Sequence, residues 1–475
     1  METIDIITLD DSSTSLDEAA LIAFKQPLDG TVLIPGDEGY DVARRVWNGM
    51  IDRRPALIAR CAGVDDVIAS IRFAQAHHLP VAVRGGGHNV AGSAVCDGGL
   101  VIDLAPMHAV TVDPEARRVS VQAGATLGAV DQATQAFGLA VPLGVVTETG
   151  VAGLTLGGGL GWLRRKHGLS CDALRAVDVV TADGRLLHAS ETEHADLFWA
   201  VRGGGGNFGI VTRFEYELYA LGPDVFMLTL IYPASEVPDV LRFMQRYMQQ
   251  VPDEFSPIGV LGRVPPLDGV AEAYHGTPGL ILVGPYAGPV DEGAWMLAPL
   301  RAFGTPIADL SGTMPFVEVQ RFFDEDYPSG ARYYWKSLNL YDLPEEAVAR
   351  LVALNAEAPS AHSTIDLWFQ GGAMGRVAAE ETAFGSRAAP YLLGVEGNWQ
   401  DPTTDEANIA WVRRCIDALQ PYSDGGMYLN FPGFLEEGEG LLHASYGPNY
   451  ERLVALKRTY DPANVFRTHQ NIKPG

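Results

Sequence analysis

Basic residues are scarce in this chain of 475 residues: 34 lysines and arginines stand against 59 aspartates and glutamates, and the formal net charge is −25. A field of this sign repels phosphate backbones and anionic lipid surfaces, and no basic stretch offsets it. No segment approaches the roughly 20 apolar residues that cross a bilayer. The N-terminus carries acids where a secretory signal carries basic residues. The sequence therefore predicts a cytoplasmic protein that binds neither nucleic acid nor membranes.

Patterns typical of metal sites and disulfides are also missing. The four cysteines, Cys61, Cys96, Cys171 and Cys415, form no Cys-x-x-Cys pair, which argues against a zinc site and a disulfide framework. The 11 histidines show neither His-x-His nor His-Glu-x-x-His spacing. We therefore expect buried, reduced thiols and no metal.

Length and composition indicate a large globular protein. The chain exceeds the size at which a single hydrophobic core keeps growing, and its hydrophobic fraction of 47% is that of a protein with a large core. We expect two lobes. The first 15 residues, rich in Ser, Thr and Asp, offer no apolar face to bury and are predicted to be a mobile tail.

The character of the sequence changes near residue 220. Before this point short apolar runs alternate with glycine clusters, and after it come longer strands such as 226–232 and amphipathic helices such as 237–250 and 345–355. The apolar spacing predicts a helix over 64–78, which Asp65 or Asp66 can cap. Further predictions are strands at 80–84, 99–104, 110–112, 119–123 and 177–181, and a helix within 449–466 that is stopped by Asp461 and Pro462.

Three glycine-rich loops stand out: 84–89 (RGGGHN), 150–161 (GVAGLTLGGGLG) and 202–209 (RGGGGNFG). Glycine at a strand end lets several backbone N–H groups approach one anion, as a pyrophosphate requires. Glycine also marks tight turns, so one such loop alone is weak evidence. None of the loops has the Rossmann layout or a Gly-Lys-Ser/Thr sequence. Together they indicate a long ligand with two phosphates, a description that FAD fits.

The segments around these loops resemble a known family. The chain looks like the berberine-bridge-enzyme-like branch of the vanillyl-alcohol-oxidase flavoproteins. The segments that carry this resemblance are the strand and loop that end at His88, 92–113, 149–163, 202–212, 427–431, 446–466 and 470–472. The resemblance is strong over 50–220 and 425–475. It is weak over 221–424, the part expected to vary with substrate.

This resemblance implies an α+β fold of two lobes, of the PCMH-type FAD-binding class, in which an antiparallel sheet of the substrate domain covers the flavin ring. It divides the chain into the tail (1–15), an FAD-binding domain (16–220), a substrate-binding domain (221–425) and a C-terminal segment that returns to the FAD lobe (426–475).

The resemblance also implies how FAD is held. A lone histidine beside glycines is more often a hydrogen-bonding turn residue, but His88 lies where the family links histidine to the 8α-methyl group of the flavin, a bond that favours hydride acceptance. Many members carry a second link from a cysteine four residues before the glycine that is here Gly150, and this chain has Val146 there. A single covalent bond is therefore implied, as in relatives similar to bacterial 6-hydroxynicotine oxidases.

Other positions match the family's cofactor contacts. Asn471 matches a position near the flavin ring, although an asparagine that fixes the last turn would look the same. The remaining matches are Arg84, Gly85, Gly86, Gly87, Asn89, Val146, Thr149, Gly150, Gly153, Gly157, Gly158, Gly159, Gly161, Gly209, Ile210 and Val211.

Tyr428 and Asn430 match the family's Tyr-x-Asn motif, which is implied to lie on a strand facing the flavin. Hydride transfer is easier when the substrate's O–H or N–H proton leaves as well, so a base is expected beside the ring. Tyr428 is the leading candidate, with Asn430 as its partner. A phenol has an ordinary pKa of about 10 and needs a cation or hydrogen bonds to act as a base. A structural tyrosine is the alternative.

The stretch 366–375 alternates in a way that suits a strand. Asp366, Trp368 and Gln370 fall on one face and Leu367 and Phe369 on the other. The first three are candidates for substrate contact, although the pattern does not decide which face meets the substrate.

The sequence thus supports three hypotheses about function. The first is an oxidase that dehydrogenates an alcohol, sugar, amine or secondary metabolite at a CH–OH or CH–NH group and passes electrons to O2, giving H2O2. The second is a dehydrogenase with another acceptor. The third is a non-redox cyclase or ligand binder with a structural flavin.

Overall fold

The computed structural model describes residues 3–435 and 438–475. Its strands are β1 Ile4–Ile7, β2 Ser13–Leu16, β3 Thr31–Leu33, β4 Leu57–Arg60, β5 Val81–Arg84, β6 Leu100–Asp103, β7 Val110–Asp113, β8 Arg118–Gln122, β9 Leu139–Ala140, β10 Leu174–Val180, β11 Leu186–Ser190, β12 Ile210–Glu217, β13 Tyr219–Ala220, β14 Asp224–Pro233, β15 Ile258–Arg263, β16 Pro278–Tyr286, β17 Ala308–Asp309, β18 Gly312–Pro315, β19 Arg332–Leu340, β20 Thr364–Phe369 and β21 Tyr391–Trp399.

The helices lie between and beyond these strands. They are α1 Glu18–Lys25, α2 Tyr40–Ala43, α3 Val64–Ala76, α4 Leu127–Gln135, α5 Val151–Leu156, α6 Arg164–His167, α7 Ala195–Val201, α8 Val237–Tyr247, α9 Val290–Met296, α10 Ala298–Arg301, α11 Phe316–Gln320, α12 Glu345–Ala356, α13 Ala373–Arg376, α14 Asp405–Leu419, α15 Glu439–Tyr446 and α16 Tyr450–Tyr460. The α+β class is confirmed, and none of the helices over the described residues is long and apolar enough to cross a membrane.

Two sheets build the N-terminal half. One has the order β3-β4-β6-β5, with β6 parallel to both β4 and β5. The other is antiparallel, with the order β11-β10-β12-β8-β7. Helix α3 begins as predicted at Val64, but its cap is Gly63, because the Asp66 carboxylate instead accepts hydrogen bonds from the backbone N–H groups of Asp29, Gly30 and Ala62.

The C-terminal segment packs into this same half. Leu442, Tyr446, Leu453 and Phe466 share one hydrophobic core with the strands and helices of residues 6–218. Asn207 joins the two parts, because its Nδ2 donates to the carbonyl of Gln470 and its Oδ1 accepts from the N–H of Ile472. Helix α16 ends at Tyr460, before Asp461, as the sequence predicts.

The middle of the chain forms one large antiparallel sheet. Its order is β17-β14-β16-β15-β20-β21-β19, with β18 also paired to β14. Apolar residues of helices α8, α12 and α14 are buried in one core with this sheet, because each helix turns a 3.6-period apolar stripe toward it. The opposite face of the sheet contributes Trp335, Trp368 and Leu392 to a second core that it shares with loops of the N-terminal half.

Residues 4–16 differ from their predicted form as a mobile tail. Strands β1 and β2 pair as a hairpin, and the N–H groups of Ile7 and Leu9 donate to the carbonyls of Gly98 and His78. Ile6 and Leu16 are buried. One buried apolar side chain on each short strand, together with these backbone hydrogen bonds, is enough to dock the segment. The sequence pattern is too sparse to predict this docking.

Candidate cofactor and substrate cavity

The three glycine-rich loops meet at one cavity of about 270 Å³, although they are far apart in the chain. The cavity lies between the N-terminal half and the large sheet, and residues of both line it together with the C-terminal segment. The glycines of these loops in its wall are Gly85, Gly86, Gly87, Gly150, Gly153, Gly157, Gly203, Gly205, Gly206 and Gly209.

The first two loops touch through their backbones. A Cβ atom on Gly86 would lie 2.5 Å from the N atom of Gly150, and one on Gly150 would lie 2.3 Å from the N atom of Gly86. No side chain fits between the two loops, so both positions require glycine. This contact brings the segment that holds Val146 and Thr149 next to the segment that holds His88.

His88 is a half-buried residue with one unused, buried ring nitrogen. Its ring stacks on Trp47, with centroids 4.1 Å apart and planes inclined by 18°. Its Nε2 is buried and has no hydrogen-bond partner. Burial lowers the pKa of His88 to about 4, so the ring is neutral at neutral pH. A fixed, neutral imidazole with a free nitrogen in a cavity wall is equipped to bond a bound molecule.

Tyr428 lines the same cavity and accepts two hydrogen bonds. The N–H of Leu160 donates to its phenolic oxygen at 3.1 Å, and Nδ2 of Asn430 donates to it at 2.8 Å. Burial raises the pKa of Tyr428 to about 12, so the phenol is protonated at neutral pH. Since both acceptor positions of the oxygen are filled, the O–H group remains as a donor.

The strand predicted for Tyr428 and Asn430 is wrong, because both lie in irregular structure alongside β19. Ser337 ties this segment to β19, because its Oγ accepts from the N–H of Tyr428 and donates to the carbonyl of Tyr428. The chain then turns, and the N–H of Phe431 donates to the same carbonyl.

The second glycine loop positions both members of the Tyr-x-Asn motif. A Cβ on Gly157 would lie 2.1 Å from Oδ1 of Asn430, and a Cβ on Gly161 would lie 1.5 Å from the carbonyl oxygen of Leu143. These close approaches hold Leu160 where its N–H reaches Tyr428. Asn430 is fixed further because its Nδ2 also donates to the carbonyl of Leu154.

Two carboxyl groups face the cavity from neighbouring strands of the large sheet. In the register of β20 and β21, Thr364 pairs with Glu396 and Asp366 pairs with Gly394, so the two acids are diagonal neighbours on one face. Both are buried, Oδ1 of Asp366 has no hydrogen-bond partner, and Oε2 of Glu396 accepts from the hydroxyl of Tyr327 at 2.7 Å.

Burial keeps these carboxyl groups from ionising easily. It raises the pKa of Asp366 to about 7. Burial and the nearby Asp366 raise the pKa of Glu396 well above its usual range. No lysine or arginine is found among the described residues that line the cavity, so the protein supplies no cation to neutralise the pair.

Aromatic side chains surround the carboxyl groups. Trp335 makes edge contacts with Tyr327 and with Phe431, at centroid distances of 5.3 Å each, and Phe431 makes a further edge contact with Tyr428 at 5.2 Å. Trp368, next but one to Asp366 on β20, also lines the cavity. The cavity wall on the sheet side is therefore aromatic and acidic.

A buried arginine supports this wall from behind. The guanidinium of Arg164 lies over the ring of Trp368, 5.1 Å from its centroid. Its N–H groups donate to the backbone carbonyls of Gly161, Ser256, Pro257 and Phe369, so it ties the second glycine loop to strands of the large sheet.

The structure brings most of the sequence-predicted site residues to the cavity. Those in its wall are Gly85, Gly86, Gly87, His88, Asn89, Val146, Thr149, Gly150, Gly153, Gly157, Gly209, Ile210, Val211, Asp366, Trp368, Tyr428 and Asn430. Leu367 and Phe369 face the core beneath the helices, so the face of β20 that meets the cavity is the one with Asp366.

Six predicted residues lie outside the cavity wall: Arg84, Gly158, Gly159, Gly161, Gln370 and Asn471. Arg84 makes a two-point ion pair with the buried Asp103 and so anchors the first glycine loop to β6. The backbone N–H of Gln370, just beyond the end of β20, donates to Pro390. Oδ1 of Asn471 is buried without a partner.

Sequence reasoning missed several residues that the fold brings to this site. Trp47 stacks on His88 and donates from its Nε1 to the carbonyl of Tyr327, so it connects the two halves. His469 is half-buried in the cavity wall over Gly206, and its buried Nδ1 has no partner. Glu396 was also missed, although the alternation of 391–399 would have placed it on the same face as Gly394.

The described residues include no cluster of three or more His, Cys, Asp or Glu side chains that could hold a metal ion. All four cysteines are buried and free, and none is part of the cavity wall over the described ranges. Val146 occupies the wall beside the first glycine loop. The described part of the cavity wall therefore offers no thiol for a covalent bond to a cofactor.

The cavity fits a dinucleotide with a flavin ring. Because the three loops in its wall are rich in glycine, their backbone groups are accessible from the cavity, as binding of a pyrophosphate requires. Gly153 faces open space, where an added Cβ would meet nothing within 4 Å. The unpartnered Nε2 of His88 supplies an atom that could bond the cofactor.

Comparison with known proteins agrees with this geometry. A family model described as FAD binding domain matches residues 55–190, and one described as berberine and berberine like matches residues 427–473. The chain is 32% identical over 463 residues to an uncharacterized FAD-linked oxidoreductase of Bacillus subtilis, YgaK, which covers 95% of this chain and 98% of that protein.

Two relatives have named substrates. The (R)-6-hydroxynicotine oxidase of Paenarthrobacter nicotinovorans is 30% identical, over 94% of this chain and 97% of its own. The structure of xylooligosaccharide oxidase from Myceliophthora thermophila in complex with xylobiose superposes with a TM-score of 0.85 at 25% identity, over 96% of this chain and 99% of that one.

Proposed function

Because the chain belongs to the berberine-bridge-like family of FAD-linked oxidoreductases, we propose that it is an oxidase that dehydrogenates a small organic substrate at FAD bonded to His88 alone. The observation that carries the proposal is the meeting of three glycine loops, a free His88 nitrogen and the Tyr428 hydroxyl at one cavity. Bound FAD would accept a hydride from the substrate and pass the electrons to O2, giving H2O2.

The residues that would hold FAD come from both ends of the chain. The glycine loops offer backbone to the pyrophosphate, and His88 offers the atom for a covalent bond. His469 and Asn207, which line the cavity beside Gly206, extend the site beyond the residues that the sequence indicates. With Val146 in the wall and the cysteines buried elsewhere, a second covalent bond has no thiol.

Tyr428 would act at the substrate. Its oxygen already accepts from Leu160 and Asn430, so the same two N–H groups that hold the phenol would stabilise a phenolate after proton loss. Since burial keeps its pKa near 12, the tyrosine is not a resting base. It would donate a hydrogen bond to an acceptor atom of the substrate and so orient the C–H bond that breaks. Asp366, with a pKa near 7 and an unused oxygen in the same cavity, is better placed to receive the proton.

Peroxide release tests the oxidase assignment. Purified protein is mixed with alcohols, sugars and amines in air, and H2O2 is measured. The same compounds are then mixed without oxygen, and the flavin absorption band is followed. Bleaching of the band and peroxide formation with the same compound support an oxidase. Bleaching without peroxide indicates a dehydrogenase, and product formation with an unchanged flavin band indicates non-redox chemistry.

Peptide mapping tests the number of links. We expect flavin mass on one proteolytic peptide, the one that contains His88. A flavin-bearing peptide with Cys96 or Cys171 would contradict single attachment, even though both thiols are buried and burial raises their pKa above the ordinary value.

A further inference from the structure

The acidic, aromatic wall of the cavity narrows the substrate class. Asp366 and Glu396 crowd one small space: a Cβ built on Gly394 would lie 3.7 Å from Cβ of Asp366 and 3.5 Å from Oε1 of Glu396. Two carboxyl groups this close repel when both are charged, and burial strengthens that repulsion. Burial favours the protonated form of both carboxyl groups, which lessens the repulsion, and the hydroxyl of Tyr327 donates a hydrogen bond to Glu396.

A cation is the partner that this pair lacks. Buried charges in proteins are normally paired, because an uncompensated one is strongly destabilising. Here Oδ1 of Asp366 has no partner, and the described cavity wall includes no lysine or arginine. Arg164, which is close to Trp368, directs its N–H groups to backbone carbonyls instead.

The surrounding rings suit a cation as well. Trp335, Trp368, Tyr327 and Phe431 line the same part of the cavity as the two carboxyl groups. Aromatic faces attract ammonium groups, and this attraction grows when water is excluded. A neutral sugar can stack on such rings, but it brings no charge to balance the carboxylates.

We propose that the substrate is an organic amine, bound as its ammonium ion by Asp366 and Glu396 within this aromatic wall. The inference rests on the oxidase function proposed above and gives its substrate class. The ammonium N–H proton passes to a carboxylate of the pair, leaving a neutral amine. The C–H bond next to nitrogen then breaks, its two electrons and hydrogen go to FAD, and the nitrogen lone pair forms the C=N bond of an iminium ion.

Binding of cations that cannot be oxidised tests this proposal without relying on turnover. Tetramethylammonium and benzyltrimethylammonium carry a permanent charge and have no nitrogen lone pair to drive hydride loss. Their dissociation constants for the flavin-loaded protein at pH 8 are measured by calorimetry and by the shift of the flavin band. Benzyl alcohol and xylobiose serve as neutral probes. We expect at least one cation to bind about tenfold more tightly than either neutral probe.

Substitution of the pair locates the binding. The double variant Asp366→Asn, Glu396→Gln keeps the shape of both side chains, and we expect it to weaken cation binding by about tenfold or more while leaving benzyl alcohol unchanged. The matched control is Asp131→Asn, another buried carboxyl that lies outside the cavity wall. We expect this control to bind the cations as the wild type does.

Three results would overturn the amine assignment: neither cation binds, a neutral probe binds as tightly as both cations, or the double variant keeps wild-type affinity for them. These outcomes leave the oxidase function standing if another compound still bleaches the flavin and releases peroxide. Conversely, cation binding that depends on the pair, in a protein whose flavin no tested compound reduces, would support the cation site and contradict the oxidase function.

Discussion

The His88 ring shows how one residue can be prepared for a covalent bond before the cofactor arrives. A protonated imidazole has no lone pair for bond formation. Burial lowers the pKa of His88 to about 4, so the ring stays unprotonated at neutral pH. Stacking on Trp47 limits rotation of the ring. The geometry therefore keeps a nucleophilic nitrogen in a defined position at neutral pH.

His88→Ala tests this role directly. We expect the variant to lose all flavin when it is precipitated with acid, whereas the wild-type protein keeps fluorescence on the denatured band, because a covalent bond survives unfolding. The measurement is flavin fluorescence on a denaturing gel. His469→Ala is the control, since His469 is a second histidine of the cavity wall with a buried ring nitrogen. Any flavin that this control carries should stay attached, and a wild-type protein that releases its flavin would exclude the bond.

Tyr428→Phe separates catalysis from attachment. The variant loses the hydroxyl that accepts from Leu160 and Asn430, which lies apart from the His88 loop. We expect flavin reduction to slow by roughly 10²–10³-fold, the usual cost of removing one positioned hydrogen-bond donor, with the flavin still covalently bound. Anaerobic single-turnover absorbance measures the rate.

Tyr232→Phe is the matched control for this substitution. Tyr232 is also a buried tyrosine with a hydrogen-bonded hydroxyl, but it belongs to the core beneath the helices. It should reduce its flavin at the wild-type rate. If Tyr428→Phe does so as well, Tyr428 has a structural role only.

At the scale of elements, the glycine loops act as spacers that set how closely segments approach. In Gly86→Ala the new methyl group would lie 2.5 Å from the N atom of Gly150, so the two loops must separate. We expect about 1–3 kcal/mol of destabilisation and a lower flavin content, because the shift moves His88 relative to Val146. Thermal unfolding and the ratio of flavin to protein absorbance measure the two effects.

Gly440→Ala provides the comparison for Gly86→Ala. Gly440 is in helix α15, where an added Cβ meets nothing within 4 Å. We expect it to keep its flavin and to gain roughly 0.5–1 kcal/mol, the usual preference for alanine over glycine inside a helix. Wild-type flavin content in Gly86→Ala would show that the close approach of the loops is dispensable.

Strands β20 and β21 place the two acids side by side, which gives cation binding a pH dependence. The Asp366 carboxyl, with a pKa near 7, carries a proton below that pH and a negative charge above it. Affinity for benzyltrimethylammonium, which does not titrate, should therefore rise by about tenfold from pH 6 to pH 8. Glu396, Tyr327 and the nearby Asp326 are the other titratable groups that act on Asp366 or Glu396.

Calorimetric titration at several pH values measures this dependence. In Asp366→Asn the rise should flatten, because the group that ionises near pH 7 is gone. A wild-type affinity that is constant over this range would argue against Asp366 as the binding charge.

At the scale of the whole molecule, features that depend on nearby residues in the chain could be predicted from the sequence, whereas features that depend on long-range packing could not. The glycine loops, helix α3, and the alternation that puts Asp366 and Trp368 on one face could be read from the sequence, because each depends on residues close together in the chain. Trp47 and Tyr327 could not be linked, since 280 positions separate them. Glu396 lies beside Asp366 only because β20 and β21 pair within the large sheet. The hairpin of residues 4–16 depends likewise on distant partners, Gly98 and His78.

The contact between the two halves includes a buried carboxyl that should make stability depend on pH. Asp131, on α4, accepts a hydrogen bond at 3.0 Å from Gln320, on α11, while its Oδ1 has no partner. Burial raises the pKa of Asp131 from 3.8 to about 7. Between pH 3.8 and pH 7 the folded protein holds a proton that the unfolded chain has lost. Asp131 therefore lowers the stability of the folded state progressively as the pH rises toward 7, and above pH 7 this destabilisation stays at its maximum.

Asp131→Asn removes the charge but keeps the shape and the contact with Gln320. At pH 8, where the wild-type carboxylate is ionised and buried, we expect the variant to melt higher by about a few degrees, since each pKa unit corresponds to about 1.4 kcal/mol. At pH 5.5, midway between the two pKa values, about half of this destabilisation is present, so the difference in melting temperature should be about half of that at pH 8. Scanning calorimetry at both pH values measures the difference. An equal shift at both would mean that the substitution acts through packing and that the carboxyl does not titrate in the folded protein.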